Sequence, residues 1–178
     1  MKDQGLSAAD SLLCAVLQGH LPAWPEGLDG DLLLMRSDYH GVAPHMHERM
    51  SQSDWPAAVL DALRLRVQSL AMWELRHHQY MAEAVAALAM AGAEPLVIKG
   101  TGLAYSLYTN PVLRPRADTD ILISASSGAA AHMCLTRLGF RRASAVHGDF
   151  ASYQATYQKA APEGGTHALD LHWKINNS

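Results

Sequence analysis

From Pro56 to Gly92 the chain reads "PAAVLDALRLRVQSLAMWELRHHQYMAEAVAALAMAG", and nothing between those two residues breaks a helix. Leu60, Leu63, Leu65, Val67, Leu70, Met72, Leu75, Met81, Ala84, Val85, Leu88 and Met90 form a broad apolar stripe at helical spacing. Ser53 or Asp54 offers an N-cap, Pro56 falls in the tolerant first turn, and Gly92 is the natural stop. A helix of roughly 35 residues is about three times the usual length, so a bend near "RHHQ" is expected. A stripe this long must be covered by a core or by a second copy, and a homodimer through the helical region is the expected assembly.

The residues before it are also helical in pattern. Ser7 caps an expected helix running to about Gln18, with Leu12, Leu13, Val16 and Leu17 on one face. A second starts near Asp29 and ends around His40-Gly41, while "VAPHMHERMSQSDWP" reads as connector with at most a short helical turn. The composition changes near residue 93. "PLVIK" (95–99) is a short β-branched run, "GTGLAYSLY" (100–108) a helix entered through glycines, "ADTDILIS" (117–124) a strand and "SSGAAAHMCLTRLG" (126–139) a helix. Three more strand candidates follow in "FRRAS", "ASYQATYQ" and "HALDLHWKI". The expected class is therefore α+β: a helical region over 1–92, then a mixed β-sheet with flanking helices over 93–178.

A formal charge of −3 gives no electrostatic footprint for duplex nucleic acid or an anionic membrane, though a single nucleotide is not excluded. No apolar run reaches bilayer length. The two cysteines, Cys14 and Cys134, have no metal-like spacing and sit in apolar, helix-like surroundings. Buried free thiols in a reducing compartment, and hence a cytoplasmic location, are the expectation.

The stretch "RPRADTDILIS" carries the chemistry. On a strand, Asp118 and Asp120 project to one face and Ile121 and Ile123 to the other. Two carboxylates held this close repel each other unless a cation sits between them, and oxygen ligands suit Mg²⁺ or Mn²⁺ better than zinc. In "HALDLHWKI" the same alternation puts Ala168, Asp170 and His172 on one face and Leu169, Leu171 and Trp173 on the other. An aspartate inside an apolar strand needs a partner, and a neighbouring strand placing Asp170 beside the pair would supply one through shared metal. Upstream, Gly100 lets backbone approach a phosphate closely, and Thr101 adds a hydroxyl and an N–H at a helix start. Lys99, Arg114 and Arg116 are cations that could face a triphosphate.

Strand, Gly-Thr turn, helix, D-x-D strand and a later single acid together resemble the DNA polymerase β-like nucleotidyltransferase superfamily. More narrowly, "VIKGTGLAYSLYTNPVLRPRADTDILI" and "LDLHWKI" resemble an uncharacterised bacterial nucleotidyltransferase family in which a Lys-Gly turn replaces the usual pair. Its Arg-x-x-x-Asp-x-Asp run is matched by Arg114, Arg116, Asp118 and Asp120. The resemblance covers roughly residues 95–175 and implies a polymerase β-like fold. It also implies transfer of a nucleoside monophosphate from ATP or another NTP to a small-molecule or protein hydroxyl, with release of pyrophosphate. In such a site Asp118, Asp120 and Asp170 would hold Mg²⁺ or Mn²⁺, with Asp170 also as general base. Gly100 and Thr101 would hold the terminal phosphates, with Lys99, Arg114 and Arg116 as further nucleotide-binding residues. Such families usually continue past the third acid, so a core truncated on its C-terminal side is also expected.

Two rival readings are a catalytically silent relative serving as a binding or antitoxin-type partner, and a helical oligomerisation protein whose acidic strand merely stabilises a turn. Of the ten histidines, His45, His47, His77 and His78 lack a second cluster at ligand spacing and read as solvated or interface residues. His172 shares the face of Asp170 and reads equally as a nucleotide or acceptor contact and as packing. Tyr105 and Tyr108 read first as packing residues and second as platforms for a base.

Overall fold

The computed structural model describes residues 2–143, 153–162 and 164–174, with side chains from residue 7 onward. Two compact units emerge, Met1–Glu74 with Asn110–Pro115, and Leu75–Thr109 with Arg116–Ser178. The composition break near residue 93 marks the end of the long helix, whereas the division into units falls inside that helix.

The first unit is helical. It contains α1 (Lys2–Leu17), α2 (Gly30–Tyr39), α3 (Ala43–Met50) and the first part of α4 (Ala57–Met90). Its core joins Leu12, Leu13 and Val16 of α1 to Leu33 and Leu34 of α2, Met46 and Met50 of α3, and Val59 and Leu63 of α4. Asp29 caps α2 by accepting from the Asp31 N–H at 3.0 Å. Arg36 grips Asp10 through both carboxylate oxygens at 2.7 and 2.8 Å.

Several local expectations change here. α1 begins at Lys2, so Ser7 lies inside the helix rather than at its cap. The segment read as connector holds a full helix, α3: its proline falls where an N–H would have no acceptor, and Met46 and Met50 bury one face. Ser53 closes the turn after α3 by donating to the Met50 carbonyl at 2.7 Å, and Pro56 rather than Ser53 or Asp54 precedes the first residue of α4. α4 spans 34 residues. Cys14 is exposed, not buried, because it lies off the apolar face of α1. Among the described residues, no helix is long and apolar enough to cross a membrane.

The second unit is built on a five-stranded sheet in the order β1-β2-β5-β4-β3, with β1 (Leu96–Ile98), β2 (Asp118–Leu122), β3 (Arg141–Arg142), β4 (Gln154–Ala160) and β5 (Thr166–His172). β2 and β5 run parallel and the other neighbours antiparallel, which makes the sheet mixed, as expected. α5 (Lys99–Leu107) connects β1 to the segment before β2, and α6 (Gly128–Arg137) follows β2. Gly92 and Gly139 end α4 and α6 with φ of 73° and 84°, a left-handed conformation open to glycine at no steric cost. One sheet face carries Ile121, Ile123, Leu169, Leu171, Ala155 and Tyr157 into a core with Met81, Ala84 and Leu88 of α4 and Ala131 and Leu135 of α6. The other face carries Asp118, Asp120, Asp170 and His172, as strand alternation requires. Of the strand candidates, Ser144, Ala151, Ser152 and Ile175 lie outside the described residues.

α5 lies close over β1 because Gly102 has no side chain: a Cβ there would stand 3.1 Å from the Val97 carbonyl oxygen. Gly102→Ala is therefore expected to lower stability by about 1–3 kcal/mol, the usual cost of overpacking, read as a lowered urea midpoint at unchanged slope.

Candidate active site

The parallel pairing of β2 with β5 sets Asp120 directly opposite Asp170, and Leu122 opposite His172. A carboxylate oxygen from each aspartate and a ring nitrogen of His172 all lie within 4.8 Å of one another. Asp120 and His172 are buried and Asp170 half-buried, and Asp120 Oδ1 is shared by two donors: the Lys99 ammonium at 2.7 Å and His172 Nε2 at 2.7 Å. Lys99 reaches it from the first residue of α5, where the chain turns with φ of 52°. A left-handed conformation is uncommon for a residue with a side chain, and such strain concentrates at functional sites. Asp118 is exposed on the same face, two residues back on β2. Its carboxyl is pushed above the usual carboxylate range by burial first, then by the negative charges of Asp120 and Asp170. The three aspartates are thus electrostatically coupled, but the tight grouping consists of Asp120, Asp170 and His172, with Asp118 at its edge.

This donor set suits a divalent cation. Two carboxylates and an imidazole converge, the third acid adds negative field, and the resting site already draws a cation, Lys99, onto Asp120.

Gly100 and Thr101 stand in the first turn of α5, at the positive end of the helix dipole. A Cβ at Gly100 would meet only Arg116 Cδ, at an ordinary 3.8 Å. Packing therefore does not demand glycine at this position, in contrast to Gly102. Thr101 is only 5% exposed, and its hydroxyl is engaged inside the protein rather than toward solvent. It accepts from Arg116 Nε at 2.8 Å, pairs with the Thr119 hydroxyl at 2.8 Å and lies 3.3 Å from the Asp118 carbonyl. What Thr101 can offer a ligand is its backbone amide. Arg114 belongs to the Asn110–Pro115 segment that groups with the helical unit. Tyr105 packs against His78, its hydroxyl 2.9 Å from Nδ1, and its ring lies 5.6 Å from the Arg116 guanidinium.

The sequence reading missed the layer beneath this turn. His77, expected at the surface, is fully buried: Nε2 lies 2.7 Å from the Thr119 hydroxyl, and Nδ1 lies 3.1 Å from Nδ1 of the equally buried His167. The signal was in the strand alternation. Thr119 and His167 are polar residues at positions that alternation assigns to the apolar face, and buried polar groups require partners. Burial above all, then the positive charge of Arg116 and the neighbouring His167 and His78, pushes the His77 imidazole down to about 3. His167 is lowered too, by burial and then by Arg76 and Lys159.

Residues 26–178 match the family described as uncharacterised nucleotidyltransferase, and the chain belongs to that family. No curated protein matches it significantly.

The neutral His77 makes stability depend on pH in a defined direction. The unfolded chain protonates it near 6.5, while the folded protein resists until about 3. Its stabilising effect is thus complete above pH 6.5 and is lost as pH falls through that window, at a limiting slope of about 1.4 kcal/mol per pH unit. Between about pH 7.5 and about pH 5, urea titration is expected to show wild type losing roughly 1–2 kcal/mol more than His77→Gln, which cannot titrate.

Proposed function

We propose that this chain is a metal-dependent nucleotidyltransferase of the DNA polymerase β-like type, with Lys99-Gly100 as a Lys-Gly variant of the usual turn. Its reaction moves a nucleoside monophosphate from ATP or another NTP to the hydroxyl of a small molecule or protein and releases pyrophosphate. The observation that carries this reading is the Asp120–Asp170 register pair, with Asp118 and His172 on the same face and the start of α5 supplying Lys99. Asp120, Asp170 and Asp118 would hold Mg²⁺ or Mn²⁺. An imidazole as close as His172 makes Mn²⁺ the better tolerated of the two. When bound, the cation neutralises phosphate charge and stabilises the attacking and leaving oxygens.

The chain's own residues have separate tasks. Gly100 and Thr101 receive the terminal phosphates through backbone amides, and Gly100 leaves the approach clear. Arg116, with Arg114 as a further cation, attracts the triphosphate. Lys99 leaves Asp120 for a phosphate oxygen as the nucleotide arrives. Asp170 takes the proton of the acceptor hydroxyl as its oxygen bonds to the α-phosphorus and the bond to pyrophosphate breaks. Leu65 and Met72, one heptad apart and more than half exposed on α4, support a homodimer through the helical region. A cytoplasmic enzyme with no duplex nucleic-acid or membrane partner completes the reading.

One observation favours the second reading, a silent partner module of antitoxin type. Lys99 and His172 already satisfy Asp120 without any ligand. Pyrophosphate release from each of the four NTPs with Mg²⁺ or Mn²⁺ separates the two. The active reading expects release by wild type and its loss in Asp120→Asn. Absence of both NTP binding and release in wild type would select the silent module.

Two substitutions refine the test. Gly100→Ala should leave the melting temperature within about 2 °C of wild type while weakening ATP binding tenfold or more, since within the protein the new methyl meets only Arg116 Cδ at an ordinary 3.8 Å. Lys99→Met should tighten Mn²⁺ binding to the nucleotide-free protein, read by electron paramagnetic resonance, and weaken ATP binding in the same preparation.

A further inference from the structure

Under the first turn of α5, four short polar contacts join into one chain: Arg116 Nε to Thr101 Oγ1 at 2.8 Å, Thr101 to Thr119 Oγ1 at 2.8 Å, Thr119 to His77 Nε2 at 2.7 Å, and His77 Nδ1 to His167 Nδ1 at 3.1 Å. These residues come from the segment before β2, from α5, from β2, from α4 and from β5. Thr101, Thr119, His77 and His167 are each at most 5% exposed, so water does not compete for their polar atoms.

The chemistry of the groups orders the protons. A guanidinium only donates, so Arg116 must donate to Thr101. A hydroxyl has a single proton: Thr101 can donate it to the Asp118 carbonyl at 3.3 Å or to Thr119 at 2.8 Å, and the shorter contact favours Thr119. Thr119 then donates to His77 Nε2. A neutral His77 that accepts at Nε2 carries its proton on Nδ1 and donates it to His167 Nδ1, which leaves the His167 proton on Nε2. The two ring planes are inclined by only 28° with centroids 5.3 Å apart, which lets the two Nδ1 atoms face edge to edge. Every link runs in one direction, from Arg116 to His167. If His77 donated at Nε2 instead, Thr119 would turn its proton on Thr101, and Thr101 would turn its own onto the Asp118 carbonyl.

We infer that His77 and His167 are positioning residues for the anion-binding turn. Through Thr119 they brace the Thr101 hydroxyl that accepts from Arg116, and so hold Arg116 beside the start of α5, without touching the nucleotide themselves. This inference rests on the nucleotide-binding reading of that turn. It adds that Arg116 is held by a directional relay reaching across the sheet core, so that polar residues far from the ligand set its affinity. Thr119 is the link at which the relay can be cut with the least change of shape, since valine replaces the hydroxyl by a methyl.

The test uses the whole chain, inorganic tripolyphosphate as the probe, and nitrogen-15 spectra of the histidine rings and of Arg116 Nε–H. Wild type should show His77 protonated on Nδ1, His167 on Nε2, and a slowly exchanging Arg116 Nε–H. Thr119→Val should speed that exchange and weaken tripolyphosphate binding tenfold or more, with kcat falling less than KM rises. With Thr119 intact, His77→Gln, whose amide oxygen can accept from Thr119, should keep binding within about threefold of wild type, whereas His77→Phe should lose it like Thr119→Val. A Thr119→Val protein that binds tripolyphosphate like wild type, or a His77 protonated on Nε2, overturns the inference and leaves the nucleotidyltransferase reading intact. Failure of wild type itself to bind tripolyphosphate or ATP removes that reading, and the inference with it.

Discussion

The parallel alignment of β2 with β5 is the constraint on which this site depends. Register on a sheet has a period of two, so a slip of one residue would turn Asp170 and His172 into the core and Leu169 and Leu171 out of it. The apolar contacts of Leu169 and Leu171 with α4 and α6 therefore hold the two carboxylates in place from the far side. The same residues that bury the core face line up Asp120 with Asp170 on the open one.

Packing acidic groups together at the end of a buried strand is unfavourable on its own, and several features offset it. Lys99 and His172 converge on Asp120, while Asp118 remains exposed and holds its proton more tightly than usual. On the other side of β2, Thr119 is held by His77 and Thr101. Thus β2 is fixed by apolar packing at Ile121 and by polar contacts on both faces of the residues before it. A face built this way combines a packed sheet with one long, exposed side chain, Lys99, paired with Asp120.

Much of this was legible in the residues. Alternation alone assigned Asp118 and Asp120 to one face of β2, and Asp170 with His172 to one face of β5. The turn "GTG" was placed at the start of a helix, but Lys99, read as the last residue of the strand, is instead the first residue of α5. Alternation fixes which way a side chain faces but not which strand lies beside it, so the central role of His172 at Asp120 was invisible until β5 was seen next to β2. His77 was misread because a helix with apolar residues on a broad arc does not reveal which of two adjacent histidines points inward. Thr101 was ambiguous for a related reason, as a hydroxyl at a helix start serves a ligand or the interior equally well. The missed helix α3 shows a different limit, since proline near a helix start looks like a breaker when the boundary is unknown.

Lys99 carries a consequence for how such a protein lives without its substrate. Many clustered-acid sites collapse or unfold when their cation is withdrawn, because metal binding and folding are one equilibrium. Here the counter-charge is covalently part of the chain, tethered by four methylenes and held to the acid at 2.7 Å. Asp120 thus has a counter-charge that belongs to the fold itself. Under the proposed function, such a protein would fold in a metal-poor environment and take up its cation together with the nucleotide that brings it.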